Sequence, residues 1–108
     1  MKGSSLGELE ELVLLTVGAL HPEAYGIGVM DEIEARANRK LNISAIHSVL
    51  QRLEDKGFVK SKMGEPTQER GGRRKRFFTL TAAGKRALEE SHELRTQLYH
   101  EIPKLAFN

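Results

Sequence analysis

The stretch NISAIHSVLQRLEDKGFVKSKM, Asn42 to Met63, decides the fold because its hydrophobic period changes partway along. Ile43, Ile46, Leu50 and Leu53 step by 3, 4 and 3 residues, the spacing of a single buried helical stripe. Asn42 is a good N-cap and Gly57 a natural stop, so a helix is expected from about Ile43 to Lys56. From Phe58 to Met63 the residues alternate in the manner of a strand. A second alternating run, Arg74 to Leu80, follows the polar, turn-rich segment Gly64 to Gly72. The two runs read as a hairpin with a long tip.

Helices are expected on both sides of this core. Upstream, Ser5 and Glu8 have the form of a capping box. Leu9, Leu12, Val13, Thr16, Val17 and Leu20 then repeat at helical spacing until His21-Pro22 ends the run. Tyr25 to Asn38 reads as a second helix with Ile27, Met30, Ile33 and Ala37 as its apolar stripe. Downstream, Thr81 should cap a last helix from about Ala82 to His100, ended or kinked by Pro103. Three short helices, a two-stranded hairpin and a long helix make a mainly α fold. Their order is that of a winged helix-turn-helix with a C-terminal dimerisation helix. Residues 1–81 would form the DNA-binding part and residues 82–108 the dimerisation helix, both within one compact unit.

Length and composition narrow the function. A chain of 108 residues is enough for one domain. It has no cysteine, which excludes a disulfide framework, a thiolate metal site and a cysteine nucleophile. No apolar run reaches the roughly 18 residues a spanning helix needs, so no membrane partner is expected. Leu12 to Leu20 follows Glu8, Glu10 and Glu11 rather than a basic segment, unlike a signal peptide. A cytoplasmic location is expected. The formal net charge of +2 hides an asymmetry. Residues 1–40 hold 4 basic and 7 acidic side chains, residues 41–80 hold 9 and 4, and residues 81–108 hold 4 of each. A basic middle between acidic and neutral ends suggests a polyanion-binding face.

Two elements carry that expectation. Opposite its apolar stripe the third helix presents Ser44, Ala45, Ser48, Gln51, Arg52 and Asp55. Small residues at its start let the backbone approach a major groove. Gln51 and Arg52 have the geometry for bidentate contacts to adenine and guanine edges. An ordinary solvated helix face has the same composition, and the hairpin tips the balance. Arg70, Arg73, Arg74, Lys75 and Arg76 crowd into seven residues of the expected wing, opposite Lys60 and Lys62, and Gly71-Gly72 lets the tip fit a groove. Arginine inserted in a narrow minor groove responds to its negative potential. Phe78 and Leu80 should point to the core, with Phe77 on the other face.

These residues in this order resemble the PadR family of bacterial transcriptional regulators. The likeness lies in Gly7-Glu8-Leu9-Glu10 with Val13-Leu14, in Tyr25-Gly26, and in Leu50-Gln51-Arg52-Leu53-Glu54-Asp55-Lys56-Gly57. It continues through Gly71-Gly72-Arg73-Arg74-Lys75-Arg76-Phe77-Phe78-Thr79-Leu80-Thr81-Ala82-Ala83-Gly84 and covers roughly residues 6–100. One helix after the wing makes the chain similar to the short PadR subgroup. The resemblance implies a homodimer that binds operator DNA and usually represses transcription, with the last helix packing on the partner's first helix. It places the DNA contacts on the third helix and the wing. The chain departs from the family at His47-Ser48, where Tyr-Pro is common and the tyrosine touches the DNA backbone, so either His47 makes that contact instead or the contact is lost. It also has Phe77-Phe78 where the family has paired tyrosines.

The remaining features are weaker. Ala87, Ser91, Leu94, Leu98, Ile102 and Leu105 step by 4, 3, 4, 4 and 3, close to a heptad seam. With Tyr99 and Phe107 they are too apolar for a solitary helix, and pairing with a second copy matches a two-half-site operator. Glu89 and His92, with Glu93 and His100 on the same helix, have spacing seen in carboxylate-bridged metal sites, but an exposed charged face is the better reading and no metal or other cofactor is expected. No phosphate-cradling loop or serine–base pair suggests an enzyme. A small hydrophobic effector is a possible further partner. The rival function is a protein-interaction module that docks the same basic face on an acidic protein.

Overall fold

The computed structural model describes residues 6–66 and 74–104. Its elements run α1 (Glu8–Ala19), α2 (Gly26–Ala37), α3 (Ile43–Asp55), β1 (Val59–Met63), β2 (Arg76–Leu80) and α4 (Ala82–His100). This is the expected winged helix order.

The first helix starts later than its sequence suggested. Gly7 is the N-cap, in extended conformation, and its N–H donates to Glu10 Oε1 at 2.9 Å. A glutamate at the third helical position thus satisfies the entering backbone, as in the glutamate half of a capping box. Ser5 lies outside the described residues, and Glu8 opens the helix instead of closing a box. The helix stops at Ala19, just before His21-Pro22. Leu14, absent from the expected stripe, is fully buried beside Val13 and Val17. The cause is position: α1 touches α2, α3, β2 and α4, so it buries two faces.

The α2 stripe is also rotated from its expected setting. Gly26, Val29 and Ile33 are buried, whereas Ile27 and Ala37 are exposed. A Cβ on Gly26 would stand 2.6 Å from His47 Nε2 and 3.4 Å from Ile43 Cδ1. The bare glycine therefore lets the start of α2 close against α3 and fixes which face turns inward. Helix α3 follows its pattern closely. Asn42 Oδ1 accepts the Ala45 N–H at 2.7 Å, Ile46, Val49, Leu50 and Leu53 are buried, and Gly57 takes φ +80° at the stop, a conformation glycine adopts without strain.

The strands pair antiparallel from Val59 opposite Leu80 to Met63 opposite Arg76. Each is shorter than its alternating run. Phe58 is drawn into the turn, donating to Leu53 O and accepting from Thr81 N–H. Arg74 precedes β2, and its Nε donates to Gly64 O at 3.0 Å. Phe78 N–H donates to Ala24 O at 2.8 Å, docking the hairpin on the α1–α2 connection. Phe78 is buried and Leu80 half-buried, while Phe77 turns to the opposite face. Thr81 then caps α4 as expected, its hydroxyl accepting from Gly84 N–H and donating to Gly57 O. The helix ends at His100, ahead of Pro103. Of its residues only Gly84 and Ala87 are buried, so most of it stands away from the core. No helix among the described residues is long and apolar enough to cross a membrane.

Candidate nucleic-acid interface

The outer face of α3 brings Ser44, His47, Ser48 and Gln51 together, all exposed. Asn42 caps the helix without using these side chains, so they are left to face outward. Ala45 is half-buried at the edge and contributes its N–H to the cap. Gln51 Nε2 donates to Asp55 Oδ1 at 3.0 Å, which orients the amide along the helix. Arg52 sits on the flank toward α1, where its Nε donates to Glu10 Oε2 at 3.2 Å.

The wing meets this face at its root. Arg76 is exposed and joins Tyr25, Gly26, His47, Leu50, Gln51 and Phe78 around a cleft of about 270 Å³. Strand β2 thus places a cation beside His47 and Gln51, as the alternation of Arg76 with Phe78 requires. Arg74 is exposed but folds back on Gly64 O. Lys60 and Lys62 are exposed on β1. Arg70 and Arg73 lie outside the described residues.

Two features of the site were not singled out from the sequence. The first is a brace at the wing root. Lys75 Nζ lies 4.3 Å from the centroid of the Tyr25 ring, a cation–π contact. Phe77 meets the same ring edge-on at 6.0 Å. Tyr25 thereby ties the start of α2 to the strand that carries Arg76. The Tyr25-Gly26 pair was the available signal, but nothing in it names a partner on the hairpin.

The second is Glu10. Its side chain is only 10% exposed, yet it pairs with Lys56 at 2.9 Å as well as with Arg52. Burial pushes its carboxyl pKa up. Hydrogen bonds from Gly7 N–H, Lys56 and Arg52, with the Lys56 charge, outweigh burial and hold it below its ordinary value. One carboxylate thus holds Arg52 and Lys56, at the end of α3, against the start of α1.

Helix α4 carries a separate apolar face. Leu94, Leu98, Tyr99 and Ile102 are 54%, 56%, 70% and 46% exposed. Leu94 and Leu98 lie four residues apart, so they share one side of the helix, and Ile102 follows just past its end. Leu105 lies outside the described residues. Near the root of α4, Ser91 Oγ donates to Glu11 Oε2 at 2.9 Å and Arg95 pairs with Glu11 at 3.2 Å. Leu15, Gly18, Leu80 and Leu88 line an open apolar depression between α1 and α4. Glu89, His92, Glu93 and His100 are exposed, and among the described residues no three acidic, histidine or cysteine side chains gather as a metal site.

Known proteins share this architecture. The model of the transcriptional regulator PadR-like family matches residues 13–90. No curated protein matches the chain. A PadR-like transcription factor from Bacteroides fragilis superposes with a TM-score of 0.74 at 20% identity, over 87% of this chain and 85% of that one. A PadR family regulator from Clostridium difficile R20291 gives 0.71 at 21% identity, over 87% and 93%. Bacillus subtilis PadR, solved in complex with operator DNA, gives 0.65 at 22% identity, over 80% of this chain and 47% of that one.

Proposed function

Because the chain belongs to the PadR-like family of transcriptional regulators, we propose that it binds a two-fold-symmetric operator in double-stranded DNA as a homodimer and represses transcription in the cytoplasm. Residues 1–81 act as the DNA-binding part and residues 82–108 as the dimerisation helix. One observation carries this role: the exposed α3 face and Arg76 of the wing converge on a single cleft, while the exposed apolar seam of α4 lies elsewhere on the chain. A basic reading surface and a separate sticky helix are the two parts a dimeric regulator needs.

In this role Ser44 and Ala45 allow close approach to the groove, and Ser48, Gln51 and Arg52 read bases or set the register of α3. His47 contacts the DNA backbone. Arg70, Arg73, Arg74 and Arg76 hold phosphates or enter the minor groove. Leu94, Leu98, Tyr99, Ile102 and Leu105 form the dimer seam. No catalytic step or cofactor is assigned. A small hydrophobic effector releases the operator, and a ligand-dependent rise in melting temperature across a compound panel tests that part.

The main test is selection of bound fragments from genomic DNA, followed by titration of the best fragment at several salt concentrations. Enrichment of one two-fold-symmetric site, with affinity falling steeply as salt rises, supports the role. Sequence-blind binding, or none together with co-purification of an acidic protein, overturns it.

A further inference from the structure

We propose that Glu10 is a positioning residue for sequence recognition: it grips Arg52 by the Nε edge so that the other edge of the guanidinium is offered to a guanine in the major groove. This deepens the operator-binding role and rests on it.

The carboxylate is a fixed post. It is buried at the start of α1 and accepts from Gly7 N–H at 2.9 Å, from Lys56 Nζ at 2.9 and 3.1 Å, and from Arg52 Nε at 3.2 Å. Arg52 by contrast is 54% exposed and lies one turn after Ser48 on the rim of the reading face. Its terminal nitrogens make no hydrogen bond among the described residues.

The chemistry of arginine explains the arrangement. A guanidinium is planar and carries five donors in a rigid fork. Engaging Nε–H fixes the plane and leaves the two terminal amino groups, which can pair with guanine O6 and N7. A side chain ordered before binding loses less freedom on binding and discriminates more sharply between partners. Lys56 shares the same carboxylate. Glu10 therefore aims Arg52 while leaving its terminal donors for DNA.

The test uses the full chain and the operator selected by the wild-type protein. Binding is measured to that operator and to every single-base-pair variant of it, for wild type, Arg52→Ala and Glu10→Gln. Arg52→Ala should abolish a preference of about tenfold or more at one symmetry-related position. Glu10→Gln should shrink the same preference several-fold and leave the other positions as they were. An unchanged profile for Arg52→Ala overturns the proposal. So does Glu10→Gln if it weakens all sequences equally, or tightens binding, which would mean that Glu10 withholds Arg52 from DNA. Failure of the operator-binding role is distinct, because the wild type would then select no site at all. Should Glu10→Gln not fold, nuclear magnetic resonance of the free wild-type protein decides. A slowly exchanging Arg52 Nε–H signal, assigned by its loss in Arg52→Lys, supports the grip. A rapidly exchanging one overturns it.

Discussion

Gly84 in the first turn of α4 gives the most stringent test of the packing that sets the wing. A Cβ built there would stand 2.2 Å from the carbonyl oxygen of Phe58 and 3.0 Å from Leu80 Cδ1. Carbon and oxygen ordinarily approach to about 3.3 Å, so in Gly84→Ala the helix must retreat by about 1 Å. That retreat pulls on two bonds that close the wing root: Thr81 N–H to Phe58 O at 3.0 Å and the Thr81 hydroxyl to Gly57 O at 2.6 Å. Each is worth about 1 kcal/mol net, and poorer packing on Phe58 and Leu80 adds about 1 kcal/mol. The better helix propensity of alanine returns up to about 1 kcal/mol. The net loss is about 2 kcal/mol, or a fall in melting temperature of roughly 8–16 °C for a chain of this size. Thermal unfolding followed by circular dichroism measures it. Gly18→Ala is the control: its Cβ would meet Leu80 Cδ2 at 3.5 Å, an ordinary contact, so that variant should melt at or slightly above the wild-type temperature. A Gly84→Ala protein that melts together with the control refutes the close-approach argument.

Other variants probe the interface and the seam. Gly26→Ala meets the far end of the His47 side chain at 2.6 Å and Ile43 Cδ1 at 3.4 Å, so it should still fold while moving His47 in its cleft and weakening operator binding by several-fold; normal affinity in a gel-shift titration would remove His47 from the contact set. Arg76→Ala should weaken binding on all sequences and lower the salt slope by about one unit, and an unchanged slope rejects its phosphate role. Leu98→Asp buries an unpaired charge in the proposed seam and should raise the dimer dissociation constant at least a hundredfold, about 3 kcal/mol, with operator affinity falling too; a dimer intact by light scattering refutes the seam. The Glu10 carboxyl is held below its ordinary value of about 4.5, so its stabilisation is present above that pH and lost as pH falls through the lower folded value. Melting temperature should therefore drop more steeply on acidification below about pH 4.5 for wild type than for Glu10→Gln, and parallel curves would show that the carboxylate is not stabilised by folding.

What could be read from the sequence followed from whether the relevant partner was local. Helix α3 was legible because its cap, its stripe and its stop all lie within Asn42 to Gly57. Thr81 was legible as a cap for the same reason. The α2 face was misjudged because its setting depends on Gly26 pressing on His47, a contact between two helices. The α1 start was misplaced because Ser5/Glu8 and Gly7/Glu10 offer similar cap spacing two residues apart. Glu10 itself gave no local sign of its role, since Arg52 and Lys56 are 42 and 46 residues away in sequence. The brace of Lys75 and Phe77 on Tyr25 was hidden likewise, because charge runs and alternation say which residues are basic or apolar but not which ring they meet.

The placement of two adjacent carboxylates makes α1 the reference frame of the molecule. Glu10 grips the end of α3 through Arg52 and Lys56. Glu11, the next residue, grips α4 through Ser91 and Arg95. Successive helical positions point about 100° apart, which is why neighbouring side chains on α1 serve two different elements. Between them the buried Val13, Leu14 and Val17 pack α1 into the core, and close-packed interiors transmit displacement and do not absorb it. Helix α1 thus ties α3 to α4 by a second route besides the junction at Thr81. In a two-fold assembly built on the exposed seam of α4, the spacing of two recognition helices depends on the angle between α3 and α4.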